Sequence, residues 1–409
     1  MIPILYDHFE TDFTSNGLGR LEECVSCKVR EVINGEYELE FQYPMSGRLF
    51  QRMVTYGGVV CCTHDHNGDV QPFEIYRYTA PINGVVTFFA HHVSYRLSNV
   101  ICGWKDDAPV VFGGPTPALV FEHIPPTAMT PCEFTFEDYT GYTPGDAFAI
   151  YDGYVSVRDA FLNGHRTDDP QTGSEALYKV FPGEFLWDGF TVRYYKQRGV
   201  NRGVQIRYGK NMTEVSRDRD TGDLVSSVFP FWIGVATAPS GDEGRVLVIG
   251  DRAYSPYCEV NYAEWDSDGG QMATPAGEPY FFGAADVRAA AVDFSQDFQE
   301  QPSEENLRQA ALDWMSKNST WRAADTITVK FADLYSSPEY ADYAGLEKCL
   351  LGDYVDVYYP QLGIVSKDVE IMSLSYDVLA DAVTEMELGQ IKTTFAQVLE
   401  RTFEGGIKA

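Results

Sequence analysis

Positive charge is scarce in this sequence. Lys and Arg number 31 against 60 Asp and Glu, a net charge of −29. A chain that grips phosphates needs the opposite balance, so electrostatic binding of nucleic acid or of an anionic membrane surface is disfavoured. The acidity suits a surface that must not retain nucleic acid passing close by, or simply keeps the protein soluble. A signal segment is also lacking, because residues 1–13 have neither a basic start nor a long apolar stretch. No run nears the roughly 20 apolar residues that cross a bilayer. Cysteine is thinly spread, eight residues in 409. Cys24, Cys27, Cys61, Cys62, Cys102, Cys132, Cys258 and Cys349 read as reduced, mostly buried thiols of a protein made in the cytosol. Cys24 and Cys27 form one CxxC with no second pair, which is half of a tetrahedral zinc site.

Catalytic signatures are missing too. There is no GxSxG elbow, no HExxH and no Walker loop. The Gly-Gly pairs at 57–58, 113–114, 269–270 and 405–406 lack a phosphate-loop context and read as turns. Carboxylate pairs of the glycosidase kind are too numerous to single one out. The sequence therefore assigns no catalytic, cofactor-binding or metal-ligating residue.

What is abundant is aromatic. Phe, Trp and Tyr make up 14% of the chain, with 26 Tyr and 25 Phe, and such residues favour pleated, half-buried surfaces. Hydrophobic residues reach 44%, enough for ordinary cores. A single core stops growing near ~250–300 residues, so several domains are expected. The clearest strand spans 36–43. Tyr37, Leu39, Phe41 and Tyr43 share one face, and Glu36, Glu38, Glu40 and Gln42 the other. Asn34-Gly35 marks a hairpin turn before it. Further strands are expected near 59–63, 73–78 and 85–90, with turns at Asn67-Gly68 and Asn83-Gly84.

These patterns predict a β-rich α+β multidomain protein with two β-barrel-like domains and smaller α+β domains. Residues 1–100 form the first β-barrel-like domain. Residues 101–182 form an α+β insertion, with short helices at 117–123, 157–162 and 174–180 and a polar loop at 165–173. Residues 183–232 return to β, with a hairpin about 197–203 that rejoins the first barrel. Residues 233–325 form an α+β domain whose helix, 303–317, is capped by Ser303 and carries Leu307, Ala310, Ala311 and Trp314 on one face. Residues 326–390 form the second β-barrel-like domain, and 391–409 a C-terminal helix or tail with Phe395, Val398 and Leu399 on one side. The two barrels share an outline. Tyr56-Gly-Gly-Val-Val60 and Phe73-Glu-Ile-Tyr76 parallel Leu351-Gly-Asp-Tyr-Val355 and Val369-Glu-Ile-Met372. Three such chains would present six quasi-equivalent units in a ring.

Two clusters invite chemistry. His64-Asp65-His66 could face a cation along a strand, but Asn67-Gly68 follows, so an exposed hairpin tip is expected. His91 and His92 are neighbours on a strand and face opposite sides. Arg193, Lys196, Arg198, Arg202, Arg207 and Lys210 are the one basic region. They read either as a contact for an acidic neighbour or as a solvated outer face.

Several blocks in order resemble a known family. They are Ile2–Asp7 with Asn16–Leu21, Asn34–Pro44, Ala90–Ser98, Gly183–Phe190, Gly203–Asn211, Leu351–Val355, Ser375–Leu379 and Glu387–Gly389. Together they resemble the structural region of phage minor structural proteins of the prophage endopeptidase tail group, and they run over nearly the whole chain. The resemblance implies a baseplate-hub type of fold and a structural role at the tail tip. It implies a homotrimer that closes the tail tube and joins a six-fold ring of distal tail protein to the three-fold tip. Tape measure protein, receptor-binding or other baseplate proteins are the implied partners, and DNA passes through without specific binding. It makes His92 a structural residue. The location implied is the virion tail tip. Family members named as endopeptidases carry a lysin domain after this region. Here the chain ends at Ala409, so no enzymatic activity is expected. A peptidoglycan hydrolase and a carbohydrate-binding tip module are the rival readings.

Overall fold

The structure, a computed structural model, describes residues 1–389 apart from 80–83, 106–107, 111, 146, 152–153, 167–172, 209, 221–224, 226, 238–242, 255–288, 296, 299, 319–323, 332, 336–347 and 360–363. Two compact units emerge, Met1–Ser216 with Ile327–Gly389, and Arg217–Thr326. The expected helix at 393–403 and Cys258 lie outside the described residues.

The first unit is built on a 13-stranded sheet. Its order starts Gly19–Arg20, Ile4–Tyr6, Val59–Thr63, Val70–Tyr78, Val85–His92, Tyr37–Pro44 and Ser26–Val32. It continues through Ile364–Asp377, Ala382–Leu388, Ala324–Phe331 and Met212–Asp220. The alternation in Tyr37–Pro44 does what the sequence predicts: Tyr37, Leu39, Phe41 and Tyr43 are buried and Glu40 is exposed. The turn before it needs a positive φ only at Asn34, at 51°. The Asn34 side chain then donates to Gly183 O and accepts from Phe185 N–H, tethering a distant strand.

The two β regions expected as separate barrels are joined edge to edge. Ser26–Val32 pairs antiparallel with Ile364–Asp377, from Ser373 opposite Val32 to Asp377 opposite Lys28. Within the first region the sheet curls. Side chains of Ser26–Val32 meet those around Val59–Thr63 although three strands separate them in the ladder. Among the described residues the ladder is not closed into a barrel.

Residues 101–182 carry the helices Pro117–Thr127, Val157–Leu162 and Leu177–Val180. The third helix begins later than predicted because Gly173–Ser174 pairs with His165–Arg166. An aromatic stack ties this region to the strands that follow. Phe161 lies 4.9 Å from Phe185, which lies 5.0 Å from Trp187 and 4.4 Å from Tyr194.

The hairpin expected about 197–203 is not formed. Thr191–Tyr195 pairs with Glu184–Asp188 and with Thr135–Asp138 of the insertion. Asn201–Arg207 runs parallel to Tyr354–Tyr359 instead. No described strand of residues 183–232 pairs with one of residues 1–100. Turn-like glycines announce that the chain reverses, but not which strand it reverses onto.

The second unit holds Ser227–Thr237 between Glu243–Ile249 and Ala289–Asp293, the latter parallel. Helix Glu304–Asn318 packs on it through Leu307, Ala311, Trp314 and Met315 against Val228, Trp232 and Val292. Ser303 caps the helix, its Oγ accepting from Asn306 N–H at 3.1 Å. Ser303→Ala is expected to cost about 1 kcal/mol, the usual worth of such a cap, read as a lower urea midpoint.

Candidate functional site

The polar residues of the first unit gather beside a cavity of roughly 270 Å³, lined by Glu31, His64, Asp188, Arg193, Arg198 and Asp353 among others. Alternation explains the first of them. In Ser26–Val32 the inward positions are Cys27, Val29 and Glu31, so a carboxylate is carried into the core. Arg198 Nη1 donates to Glu31 Oε1 at 2.9 Å, and His64 Nδ1 lies 3.4 Å from Oε2. Burial pushes the Glu31 carboxyl up, but Arg198 and His64 outweigh it and hold the group down to about 2. Burial pushes the His64 imidazole down, but the hydrogen bond to Glu31 and the charge of Asp65 prevail and raise it above the ordinary value. Glu31 binds protons too weakly to suit proton abstraction at neutral pH.

A second chain of contacts starts at His92. Ser94 N–H donates to His92 Nδ1, so Nε2 carries the ring proton and faces Gln71 Oε1 at 3.1 Å. Burial lowers this imidazole to about 3, so it stays neutral. Gln71 Nε2 donates to Asp188 Oδ1, and Arg193 bridges Asp188 and Glu137 at 2.6 and 2.9 Å. His91 turns to the opposite side of the strand and stacks between Tyr76 and Tyr95.

Asp353 organises the third cluster. It is buried and accepts from Val200 N–H, Leu350 N–H and Arg202 Nε at 2.9, 3.0 and 2.7 Å. Behind it, Glu370 lies beside Glu184. Burial, and then the neighbouring Glu184, raise Glu370 to about 8. The unfolded chain loses that proton near the ordinary glutamate value. Between there and pH 8 the folded state alone keeps it, so stability falls as pH rises. Glu370→Gln is expected to flatten that decline and raise the melting temperature most above pH 8, checked by thermal melts from pH 5 to 9.

Two sequence expectations are corrected here. His64-Asp65-His66 is not an exposed tip; exposure begins at Asn67. Both imidazoles are buried, and His66 Nε2 sits 2.6 Å from Asp333 Oδ2, which also accepts from Val383 N–H. The basic region divides, with Lys196, Arg207 and Lys210 exposed and the other three arginines turned inward. Arg193, Arg198 and Arg202 are neutralised within the chain, while Lys196 lies over Tyr142 and Arg207 over Tyr358. Sequence reasoning missed Glu31, Asp188 and Asp353. Only Glu31 left a signal, as a charge at an inward position between Val29 and the turn. Cys24, Cys27, Cys61, Cys62, Cys102 and Cys132 are free thiols, with Cys27 against Cys24 and Cys62. Among the described residues, no three His, Cys, Asp or Glu side chains are arranged to hold a metal ion.

Comparison with solved structures finds the same fold in the 43 kDa tail protein of prophage MuSo2 from Shewanella oneidensis. That match has 10% identity over 95% of this chain and 98% of that one, with a TM-score of 0.52. The prophage tail protein gp18 of Listeria monocytogenes EGD-e aligns at 13% identity over 98% of both chains, TM-score 0.49. A tail protein of Neisseria meningitidis MC58 aligns at 11% over 95% and 96%, TM-score 0.49. No curated protein matches the sequence. The class the fold defines is thus one shared with a prophage tail protein. Residues 200–399, just under half of the chain, match the model of the family described as Prophage endopeptidase tail.

Proposed function

We propose that this chain is a structural, non-catalytic subunit of the tail tip, of the baseplate-hub kind. It forms a homotrimer that closes the tail tube and joins the six-fold distal tail ring to a three-fold tip. Residues 1–100 and 326–390 act as its two barrel-like domains, with 101–182 as an insertion in the first. Tape measure protein and then DNA pass by without specific binding.

The observation that carries this reading is the shared ladder. Pairing of Ser26–Val32 with Ile364–Asp377 couples the two β regions into one body, as a subunit that bears two ring positions needs. The internal neutralisation of Arg193, Arg198 and Arg202 supports it, since it withholds cations from passing phosphates. No helix among the described residues is long and apolar enough to cross a membrane.

Native mass measurement of the protein, alone and mixed with the distal tail ring, tests the proposal. A trimer, and a complex with the ring, are expected. A single chain that ignores the ring under all conditions would sink it. The family's name keeps one rival in view. Release of peptidoglycan fragments by the purified protein, lost on changing one acidic residue, would replace the structural reading with an enzymatic one.

A further inference from the structure

The CxxC of Cys24 and Cys27 has no part in the structural role proposed above. In a straight strand, residues three apart stand roughly 10 Å from each other on opposite faces. Here the chain bends at Val25, just before Ser26–Val32 begins. Leu21 O accepts from Cys24 N–H at 3.1 Å and Gln42 O from Val25 N–H at 2.8 Å, which fixes the bend. The Cys24 side chain folds back along the strand, its Sγ donating to Ser26 O at 3.1 Å. That sets it against the Cys27 thiol, which in turn meets the thiol of Cys62 in Val59–Thr63. The three thiols lead from surface to core. Cys24 is partly exposed, whereas Cys27 and Cys62 are fully buried.

An accessible thiol beside a buried one is the order of an attacking and a resolving cysteine. A small oxidant in solution reaches Cys24 and not Cys27, and the thiol that can complete a bond with Cys24 is Cys27. We propose that Cys24 and Cys27 form a reversible intramolecular disulfide, made by exchange with a small disulfide of the glutathione class. The Cys24 thiolate attacks one sulfur of glutathione disulfide, giving a mixed disulfide and releasing one glutathione. The Cys27 thiolate then attacks Cys24 Sγ and expels the second glutathione. Two cysteine thiols are oxidised, one small disulfide is reduced to two thiols, and the two cysteine protons pass to the departing thiolates. The hydrogen bond with Cys27, and then burial, push the Cys24 thiol up. For Cys27 the hydrogen bond with Cys24 pulls down, but contact with Cys62 and burial outweigh it and leave that thiol well above its ordinary value. Few thiolates are present at neutral pH, so the exchange is slow, on the order of minutes to hours. The pair stays reduced wherever small thiols are in excess. The bond lies at the end of the joint between the first and last β regions. There Cys27 O accepts from Val378 N–H, and Val378 O from the Met1 amino group, each at 2.9 Å.

The test uses the full-length protein, purified under reductant, freed of it and incubated with excess glutathione disulfide. Peptide mapping by mass spectrometry without reduction is expected to find Cys24 joined to Cys27, and dithiothreitol to restore both thiols. Cys27→Ser is expected to stop at the first step, with one glutathione held on Cys24. Cys24→Ser is expected to leave Cys27 unmodified, since no accessible sulfur then passes oxidation inward. Cys62→Ser should still close the Cys24–Cys27 bond. A map that joins Cys27 to Cys62 instead overturns the proposal. So does a wild type whose Cys24 and Cys27 both remain free after days, under conditions that oxidise the same chain unfolded in urea. If Cys27→Ser does not fold, the wild-type map and Cys24→Ser decide: a Cys24–Cys27 bond in the first and an unmodified Cys27 in the second support the proposal, and any other pairing of Cys27 refutes it.

Discussion

Replacing Glu31 with alanine is expected to remove about 3–5 kcal/mol of stability from the first unit, the usual cost of deleting one member of a buried ion pair. The loss does not measure the worth of the pair. It is the cost of leaving Arg198 and His64 buried without their anion. Side-chain exposure is 6% for Glu31, 9% for Arg198 and 7% for His64, so water cannot replace the missing carboxylate. Glu31→Gln should fall between wild type and alanine, since an amide can still accept from Arg198. Acid provides a second reading of the same contact. The folded-state value of about 2 lies below the ordinary glutamate value. The stability Glu31 contributes is therefore present above that ordinary value and is lost as pH falls from there towards 2. Urea titrations at pH 7 and pH 3 should show wild type losing much of its margin while Glu31→Ala loses less.

The second large effect is expected at Gly199. A methyl group there would meet the Gly352 carbonyl carbon and oxygen at 2.0 Å and Asp353 N at 2.3 Å. These are backbone atoms and cannot swing aside as a side-chain tip could. Overpacking a core costs about 1–3 kcal/mol and occasionally more, and contact with fixed main chain sets Gly199→Ala at the upper end or beyond. The same approach allows Val200 N–H to reach Asp353 and Tyr354 N–H to reach Val200 O. Gly199→Ala should therefore loosen the pairing of Asn201–Arg207 with Tyr354–Tyr359. Hydrogen exchange would show faster amides in both strands, and equal protection in the two proteins would refute the steric account.

Local pattern was legible and pairing was not. Tyr37, Leu39, Phe41 and Tyr43 announce their buried face because alternation lies within eight residues. Ser303 and the apolar stripe of Glu304–Asn318 are equally local. The helices Pro117–Thr127 and Val157–Leu162 fell where their spacing put them. The partner of Asn201–Arg207 lies some 150 residues away, and nothing near Gln197–Gly203 encodes it. The acidic partners of Arg198 and Arg202 are just as remote, at Glu31 and Asp353. Clustered arginines in a row therefore looked like surface. His64 and His66 looked like a tip because Asn67-Gly68 does form one; what buries them arrives from Arg198, Asp333 and Tyr376.

The joint between Ser26–Val32 and Ile364–Asp377 also sets a timetable for synthesis. Val32 leaves the ribosome 341 residues before its partner Ser373. At about 5–20 residues per second that interval is roughly 20–70 s. Throughout it, the nascent chain bears a strand with one unsatisfied row of N–H and C=O groups, an invitation to pair with any neighbouring polypeptide. Lys28 and Arg30 project from that strand, and charged side chains on an edge discourage such mispairing. The cations that later lie across from Asp377 and bond Glu387 thus serve first as gatekeepers on the polysome.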